Sequence, residues 1–248
     1  MKGVLLCGGK GTRLGELTKV TNKHLLPVGD MPMVYYPLKK LVGAGITDIM
    51  LITGTEHMGA FVELLGSGKQ HGCQLTYRVQ DEAGGIAQAL GLAEGFCRGE
   101  RLTVVLGDNI FEDAIPPDYP DYGCDNQAVV YLKSVDDPQR YGVADICTDE
   151  SKSEYGKILW ISEKPERPKT HWAVSGLYVY PPDVFDIIRR LKPSNRGELE
   201  ITDVNNAYCC QRPGRLAHGI LRGYWTDAGT HESLAVANEL VRNTPPRF

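Results

Sequence analysis

The sequence has no large excess of one charge sign and no long apolar run. Its 248 residues include 27 basic and 31 acidic side chains, which gives a net charge of −4. That balance offers no electrostatic surface for nucleic acid or for an anionic membrane. The longest apolar run near the N-terminus, residues 4–7, is too short for a signal peptide or a membrane-spanning helix. We therefore expect a cytoplasmic protein with no nucleic-acid or membrane partner.

Several common catalytic and metal-binding motifs are also missing. The seven cysteines show no C-x-x-C spacing, and none of the six histidines belongs to an H-E-x-x-H motif. These absences argue against a zinc site. No G-x-S-x-G motif marks a serine nucleophile either. Any chemistry must therefore be carried by residues outside these signatures.

The first half of the chain alternates predicted strands and helices. Apolar and β-branched runs predict strands at 2–7, 46–53, 74–79 and 102–106. Helical spacing predicts helices at 33–42, 59–65 and 86–96. This alternation is typical of a parallel sheet with helices on both faces, because right-handed crossovers place the helices there.

After residue 113 the pattern changes. A loop rich in proline, aspartate and tyrosine is expected at 116–125. Strands are predicted at 128–134, 142–147, 157–162 and 172–180, and helices at 183–190, 198–208 and 231–241. Strands with so little helix between them favour antiparallel pairing. We predict one α/β domain over 1–248, with a Rossmann-like, doubly wound, mostly parallel sheet that has antiparallel additions.

A glycine-rich loop follows the first predicted strand. Gly8, Gly9 and Gly11 allow backbone N–H groups to turn inward and hold phosphate oxygens. A dinucleotide fingerprint needs a third glycine, but Leu14 occupies that place, which argues against a dinucleotide oxidoreductase. No Gly-Lys-Ser or Gly-Lys-Thr completes a Walker motif. The loop indicates a phosphate site of another kind, and a plain strand-exit turn is the alternative.

Two basic residues lie in or near this loop. Arg13 offers a planar guanidinium group, and Lys23 offers a point charge. Phosphoryl and nucleotidyl transfer depend on cations that neutralise charge on the attacked phosphate and the leaving group. Each residue alone would more often be a solvated surface cation. Their position beside the glycine loop favours a catalytic role.

Two aspartates are candidate ligands for a magnesium ion. Asp108 follows the strand predicted at 102–106, and open α/β sheets bind ligands at the C-terminal ends of their parallel strands. Asp227 lies in a turn of small residues before the last helix. Mg²⁺ typically takes one or two carboxylates and adds water and phosphate oxygens, so two aspartates suffice. Helix capping by Asp108 and turn formation by Asp227 are the structural alternatives.

Weaker signals come from the ends of two other predicted strands. Glu163 could offer a carboxylate to sugar hydroxyls and Lys164 an ammonium to a sugar phosphate, although an ordinary surface ion pair explains them better when they are taken alone. Gln80 follows the strand at 74–79, and its amide can match the donor and acceptor edge of a pyrimidine. Gly85 would let the backbone approach that base.

Nine short segments, taken together and in order, resemble the glucose-1-phosphate thymidylyltransferase family over nearly the whole chain. They are GGKGTRL from Gly8, NKHLLPV from Asn22, PMVYYPL from Pro32, LGDN from Leu106, RYGV from Arg140, EKP from Glu163, VSGLY from Val174, RGELEITDVN from Arg196 and DAGTHESL from Asp227. Each segment alone is a weak signal, but their joint order is very specific. The resemblance implies the nucleotidyltransferase fold.

The resemblance also implies a reaction. A thymidylyl group would pass from dTTP to glucose 1-phosphate in the presence of Mg²⁺, giving dTDP-glucose and pyrophosphate by direct in-line displacement. A sugar phosphate is already anionic near neutral pH, so no general base is needed. Residues 1–113 would then be mainly the nucleotide-binding half, and residues 114–248 mainly the sugar-phosphate-binding half.

Roles for the candidate residues follow from the same resemblance. Its implied catalytic residues are Arg13, Lys23 and Asp108. Its implied Mg²⁺ ligands are Asp108 and Asp227. The implied nucleotide-binding residues are Leu6, Gly8, Gly9, Gly11, Thr12, Arg13, Gln80 and Gly85, of which the last two would read the thymine. The implied sugar-phosphate-binding residues are Gly142, Glu163, Lys164 and Val174.

Departures from the family pattern leave alternatives open. Asp81 and Glu82 follow Gln80 where the family usually has proline and a small residue, so the same chemistry with UTP, or with another hexose 1-phosphate, is an alternative. Longer members have a further C-terminal segment that contributes to a regulatory nucleotide site between subunits, and we do not expect that site here. Family members usually form homodimers or homotetramers, which predicts a homo-oligomer.

A regulator that binds nucleotide sugars without catalysis is the alternative from a different functional class. Such a protein would keep the fold and lose the residues that carry out the reaction. All four charged residues assigned to catalysis and metal binding are present in this sequence, which argues for an enzyme. They are Arg13, Lys23, Asp108 and Asp227.

Overall fold

Strands and helices alternate in the first half of the chain, and strands follow one another in much of the second. The computed structural model describes residues 1–9, 11–115, 126–211 and 215–248, so the loop expected at 116–125 lies outside the described residues. The strands are β1 (Lys2–Leu6), β2 (Pro27–Val28), β3 (Met31–Pro32), β4 (Asp48–Gly54), β5 (Gln74–Gln80), β6 (Leu102–Leu106), β7 (Asn109–Phe111), β8 (Ala128–Ser134), β9 (Gly142–Ile146), β10 (Ile158–Glu163), β11 (Trp172–Tyr180), β12 (Leu216–Ile220) and β13 (Trp225–Asp227). The α-helices are α1 (Tyr35–Gly43), α2 (Met58–Leu65), α3 (Ile86–Gly91), α4 (Glu94–Cys97), α5 (Val184–Ile188), α6 (Ile201–Asn206) and α7 (His231–Asn243). Within the described ranges, none of the helices has both the length and the apolar content that a membrane span requires.

The first strand lies in the middle of a sheet that is covered on both faces. Side chains of a strand point alternately to the two faces. Val4 and Leu6 belong to the core on one face, whereas Leu5 belongs to the core on the other. All three are at most 6% exposed. A strand buried on both faces has no polar positions, which explains its continuous apolar run.

Helices pack on each face of this sheet, as the doubly wound pattern predicts. The core around Val4 includes side chains of α3, α5 and α6. The core around Leu5 includes side chains of α1 and α2. A third, smaller core joins α7 to β2 and β7. The fold is therefore the expected α/β arrangement, with helices on both faces of a central sheet.

Nine of the described strands form one mixed sheet. Its main path has the order β10, β9, β11, β6, β1, β4, β5, while β8 pairs with β11 and β12 pairs with β8. The strands β6, β1, β4 and β5 run parallel to one another. Strand β11 is antiparallel to β6, β8 and β9, and β9 is antiparallel to β10. The parallel core with antiparallel additions is thus confirmed.

Two predicted helices differ most from the structure, one for a local reason and one because of contacts with a distant segment. The helix expected at 86–96 is split into α3 and α4, because the N–H groups of Leu92 and Ala93 bond to carbonyls three residues back and tighten the turn there. The helix expected at 198–208 begins only at Ile201. Leu199 donates its N–H to Gly84 and accepts from Ala87, so this segment is held extended against the loop before α3.

The sequence patterns missed five strands, of which two form a ribbon that matters for the site. Strand β7 pairs with β13 in antiparallel register, and Asn109 lies opposite Asp227. Each strand has three residues, too few to show an alternating pattern. The other missed strands are β2, β3 and β12. The ribbon carries Asp227 to the C-terminal end of β6, next to Asp108.

Candidate active site

A cleft of about 400 Å³ opens at the C-terminal ends of β1, β5 and β6. The last residues of these parallel strands, Leu6, Gln80 and Leu106, line it. Parallel strands end at the same edge of a sheet, which is where open α/β sheets bind their ligands. Strands β9, β10 and β11 and the segment before α6 form the opposite side.

The cleft brings together nearly all of the candidate residues. Those that line it are Leu6, Gly8, Gly9, Arg13, Lys23, Gln80, Gly85, Asp108, Gly142, Glu163, Lys164, Val174 and Asp227. Gly11 and Thr12 are not among them. Gly11 precedes the 3₁₀ turn Thr12–Thr18 with a φ of 63°, and Thr12 is exposed. The glycine loop therefore contributes its first two glycines and Arg13 to the cleft.

Lys23 and Asp108 form an ion pair inside the cleft, with both side chains only 13% exposed. Burial by itself would raise the pKa of Asp108. The charge of Lys23, followed by His24 and hydrogen bonds from Lys23 and Asn109, nevertheless holds the pKa of this carboxyl well below its usual value. Asp108 is thus ionised and already bound to a cation.

His24 follows Lys23 and supports the turn that carries it. Burial and the charge of Lys23 lower the pKa of His24 to about 3, so its imidazole is neutral. Asn22 accepts a hydrogen bond from the backbone N–H of His24 at 2.9 Å, and its oxygen lies 2.6 Å from His24 Nδ1. This arrangement is structural, in agreement with the absence of a histidine motif.

Asp227 lies beside Asp108, because β13 pairs Asp227 with Asn109 of β7. Its Oδ1 atom accepts hydrogen bonds from the Arg140 guanidinium and the Tyr141 hydroxyl, each at 3.1 Å. Burial, and after it the negative charge of Asp108, raise the pKa of Asp227, while Arg140 opposes the shift. The two aspartates are therefore coupled, and each is balanced by a cation of its own.

The Oδ2 atoms of the two carboxylates both lie near Gly229, and Asp108 Oδ2 is also the atom that pairs with Lys23. A Cβ atom placed on Gly229 would lie 3.6 Å from Asp227 Oδ2, 3.7 Å from Asp108 Oδ2 and 3.2 Å from an Arg13 nitrogen. Among the described residues, no group of three or more metal-ligating side chains occurs. Two carboxylates near one position suit Mg²⁺, which takes its remaining ligands from water and phosphate. The donor set therefore fits a magnesium ion shared with a phosphate substrate.

Asn109 joins the two sides of this arrangement, although no local pattern identified it. Its Nδ2 donates to Asp108 Oδ1 at 2.9 Å, and its Oδ1 accepts from Trp225 Nε1 at 2.7 Å and from the Gly176 N–H at 2.9 Å. A Cβ atom on Gly176 would lie 2.6 Å from the Asn109 side chain, so only glycine fits there. Asn109 thereby fixes both Asp108 and the strand that carries Asp227.

Gln80 lies at the other end of the cleft. Its side-chain Nε2 donates to the Gly85 carbonyl at 3.3 Å and to Gln88 Oε1 at 2.5 Å. Gly85 has a φ of 97°, and a Cβ atom there would lie 2.5 Å from the Leu199 carbonyl oxygen. Glycine is therefore required at position 85 by both backbone conformation and close approach. The loop that carries Gly85 packs closely against the segment before α6.

Glu163 and Lys164 lie at the end of β10, opposite the glycine loop. Glu163 Oε2 accepts a hydrogen bond from the Thr202 hydroxyl at 2.6 Å, and its Oε1 is 3.3 Å from Arg196. Lys164 has a φ of 42°, a backbone conformation that residues other than glycine rarely adopt. Its N–H donates to the Tyr141 carbonyl at 3.0 Å. Local strain of this kind is often found at ligand sites.

The structure adds lining residues that sequence patterns did not single out. They include Asn109, Arg140, Tyr141, Arg196, Thr202 and Asn205. All six belong to segments that carry the family resemblance, which was the available signal, but none has a chemical signature of its own. Asn205 is notable because its buried Nδ2 has no hydrogen-bond partner among the described residues, while its Oδ1 accepts from Tyr180 at 2.6 Å.

Two relatives match this chain over nearly its whole length. A glucose-1-phosphate thymidylyltransferase of Neisseria meningitidis is 43% identical over 246 residues, which is 98% of this chain and 83% of the relative. An enzyme of the same name from Mycobacterium tuberculosis is 41% identical over 250 residues, which is 100% of this chain and 84% of the relative. The resemblance seen in the nine segments is confirmed.

Solved structures share the fold. A Bacillus anthracis protein, provisionally named a glucose-1-phosphate thymidylyltransferase and solved with sucrose, is 54% identical with a TM-score of 0.90, covering 100% of this chain and 97% of that one. A UDP-glucose pyrophosphorylase complexed with UDP-glucose has a TM-score of 0.83 at 23% identity over 98% of both chains, which supports the fold alone. The sequence profile of nucleotidyl transferases matches residues 2–244. Because that match runs from β1 and the glycine loop to α7 beyond Asp227, the chain belongs to the nucleotidyl transferase family.

Proposed function

We propose that the protein transfers a thymidylyl group from dTTP to glucose 1-phosphate, with Mg²⁺ as cofactor, and releases pyrophosphate. The observation that carries the proposal is that Asp108, Asp227 and Arg13 line one cleft together with the first two glycines of the loop and the Glu163–Lys164 segment. The cleft thus offers two sets of groups for phosphates, one at the glycine loop and one at Lys164. The shared name of the relatives supports the choice of dTTP and glucose 1-phosphate.

In this proposal the glycine loop and two cations hold the triphosphate. Backbone N–H groups of Gly8 and Gly9 face the phosphates, with Gly11 and Thr12 shaping the loop behind them. Arg13 and Lys23 neutralise the α-phosphate and the leaving pyrophosphate. Asp108 and Asp227 would hold the magnesium ion, which would add positive charge at the phosphate oxygens.

The base and the sugar phosphate occupy opposite ends of the cleft. Gln80 and Gly85, with Leu6 beneath, read the edge of the thymine. Gly142, Glu163, Lys164 and Val174 hold the sugar phosphate: Glu163 accepts from sugar hydroxyls, and Lys164 pairs with the phosphate. The proposal thus divides the chain near residue 113 into nucleotide and sugar-phosphate halves of one domain.

The proposed reaction is a direct displacement. A phosphate oxygen of glucose 1-phosphate forms a bond to the α-phosphorus of dTTP, while the bond from that phosphorus to the β-phosphate oxygen breaks. The bonding electrons leave with pyrophosphate. The attacking oxygen is already ionised, so no side chain needs to remove a proton. The neutral, buried His24 is consistent with a site that has no general base.

Pyrophosphate release from purified protein tests the function. The assay offers glucose 1-phosphate and Mg²⁺ with dTTP, UTP, CTP, ATP or GTP in parallel. We expect a clear preference for dTTP. Comparable or greater release with UTP would retain the chemistry and overturn the role of Gln80 as a thymine reader. No release with any nucleotide, from glucose 1-phosphate or another hexose 1-phosphate, would favour a binding-only protein. The cytoplasmic location and the homodimer or homotetramer stay predictions.

A further inference from the structure

Tyr141 connects the two aspartates to the sugar-phosphate side of the cleft. It follows the 3₁₀ turn Pro138–Arg140 and directly precedes β9. Its hydroxyl donates to Asp227 Oδ1 at 3.1 Å, and the neighbouring Arg140 donates to the same oxygen at the same distance. Two adjacent residues thus fix one oxygen of this carboxylate.

The other oxygen of Asp227, Oδ2, lies near Asp108. A Cβ atom placed on Gly229 would be 3.6 Å from Asp227 Oδ2 and 3.7 Å from Asp108 Oδ2. Since Oδ1 is held by a hydroxyl and a guanidinium, the carboxylate cannot rotate without breaking two hydrogen bonds. Its orientation is therefore set before any ligand enters, and Oδ2 is the atom that these two bonds leave unheld.

The ring of Tyr141 is held by the same ribbon that carries Asp227. It packs edge-to-face on Trp225 with 5.0 Å between ring centroids and an interplanar angle of 61°. Trp225 lies two residues before Asp227 on β13, and its indole N–H donates to Asn109, which in turn donates to Asp108. A continuous set of contacts therefore runs from Tyr141 to both carboxylates.

The backbone of Tyr141 faces the sugar-phosphate side. Its carbonyl accepts the N–H of Lys164, the residue held at a φ of 42°. The next residue, Gly142, pairs with Glu163 across β9 and β10. One residue thus contacts a proposed metal ligand through its side chain and a proposed phosphate ligand through its main chain.

We propose that Tyr141 is a positioning residue that orients Asp227 for the metal ion. This inference rests on the proposed function, because it assigns the purpose of the Tyr141 hydroxyl within that site. Residues that hydrogen-bond to metal ligands fix the direction of the ligand atom, and their loss commonly weakens metal affinity or activity by about 10- to 100-fold. The hydroxyl of Tyr141 acts through Asp227 and not on the substrate.

Tyr141→Phe tests this by removing the hydroxyl while keeping the ring on Trp225 and the main-chain contact with Lys164. Binding of dTTP is measured by calorimetry without metal and with Mn²⁺, in the absence of sugar phosphate, so that no turnover occurs. The ratio of the affinity with Mn²⁺ to the affinity without metal reports the contribution of the metal site. We expect metal-free binding to be unchanged and the ratio to fall about 10-fold relative to the wild type.

Tyr77→Phe is a matched control. The Tyr77 hydroxyl donates to the Gly66 carbonyl at 2.5 Å on β5, outside the residues that line the cleft. This variant should keep the wild-type ratio, and thermal unfolding of both variants checks that each is folded.

An unchanged ratio of affinities in Tyr141→Phe would overturn the assignment. If the affinity for glucose 1-phosphate were weaker at the same time, the hydroxyl would belong to the sugar site. The proposed function fails separately, if wild-type protein that binds dTTP releases no pyrophosphate with any sugar phosphate.

Discussion

The two sides of the cleft hold their charges in different ways. On the aspartate side, Lys23 and Asp108 are paired with both side chains 13% exposed. On the opposite side, the side chains of Lys164 and Arg196 are 50% and 44% exposed. Removing one partner of a buried pair leaves an uncompensated charge, whereas exposed pairs are screened by water and salt. Substitutions should therefore affect turnover and stability most on the first side and substrate binding most on the second.

The largest effect is expected from Asp108→Asn. The substitution keeps the size of the side chain, removes a proposed Mg²⁺ ligand and leaves Lys23 buried without its charged partner. We expect turnover to fall roughly 10³-fold, as when preorganised electrostatic stabilisation is lost. Metal-free binding of dTTP should persist. Pyrophosphate release and calorimetry with a chelator measure the two effects.

The control for this prediction is Asp136→Asn, which changes an exposed aspartate. It should retain wild-type turnover. Full activity of Asp108→Asn would show that Asp108 is not a metal ligand.

A second comparison concerns the two aspartates themselves, whose pKa values shift in opposite directions. The pKa of Asp108 is held low by Lys23 in spite of burial, so its ionised form stabilises the fold above the usual aspartate pKa, and this contribution is lost as the pH falls. Burial and then the charge of Asp108 raise the pKa of Asp227. Its contribution is complete at low pH and is lost as the pH rises through the raised pKa.

Chemical unfolding of metal-free protein over a range of pH tests the direction of these two effects on stability. Asp108→Asn should destabilise the protein at neutral pH, and its deficit relative to wild type should shrink in acid. Asp227→Asn should gain stability relative to wild type as the pH rises from acid to neutral. If the stabilities of the two variants changed with pH in the same direction, the opposite pKa shifts assigned to Asp108 and Asp227 would be contradicted.

The smallest effect on the fold is expected from Lys164→Gly. Glycine adopts the observed φ of 42° without strain, so the substitution should raise the free energy of unfolding by about 1 kcal/mol or less. The loss of the ammonium should raise the KM for glucose 1-phosphate about 10-fold, as expected when a charged hydrogen bond is removed. Steady-state kinetics and urea unfolding measure these quantities.

Arg98→Gly is the matched control, because Arg98 has a φ of 49° at the end of α4 and is exposed. It should show a similar change in stability with no change in KM. An unchanged KM in Lys164→Gly would remove Lys164 from the proposed phosphate site.

Much of the fold follows from local patterns, and the exceptions have physical causes. The apolar run at 102–106 predicts β6 with its bounds as observed, because a strand buried on both faces needs apolar side chains at every position. The helix expected at 198–208 starts late because Leu199 bonds to Gly84 and Ala87, which are distant in sequence. Short ribbons such as β7 and β13 have no hydrophobic period at all.

The sequence alone determined the chemical types and their local setting. It placed glycines and Arg13 after a buried strand, Asp108 after another, and Asp227 in a turn before the last helix, because these depend on neighbours along the chain. Only the tertiary structure decided that Asp108 and Asp227 lie together beside Gly229, and that Asn109 holds the first while Arg140 and Tyr141 hold the second. Those contacts depend on the register of β7 with β13 and on hydrogen bonds between distant segments, which no local pattern encodes.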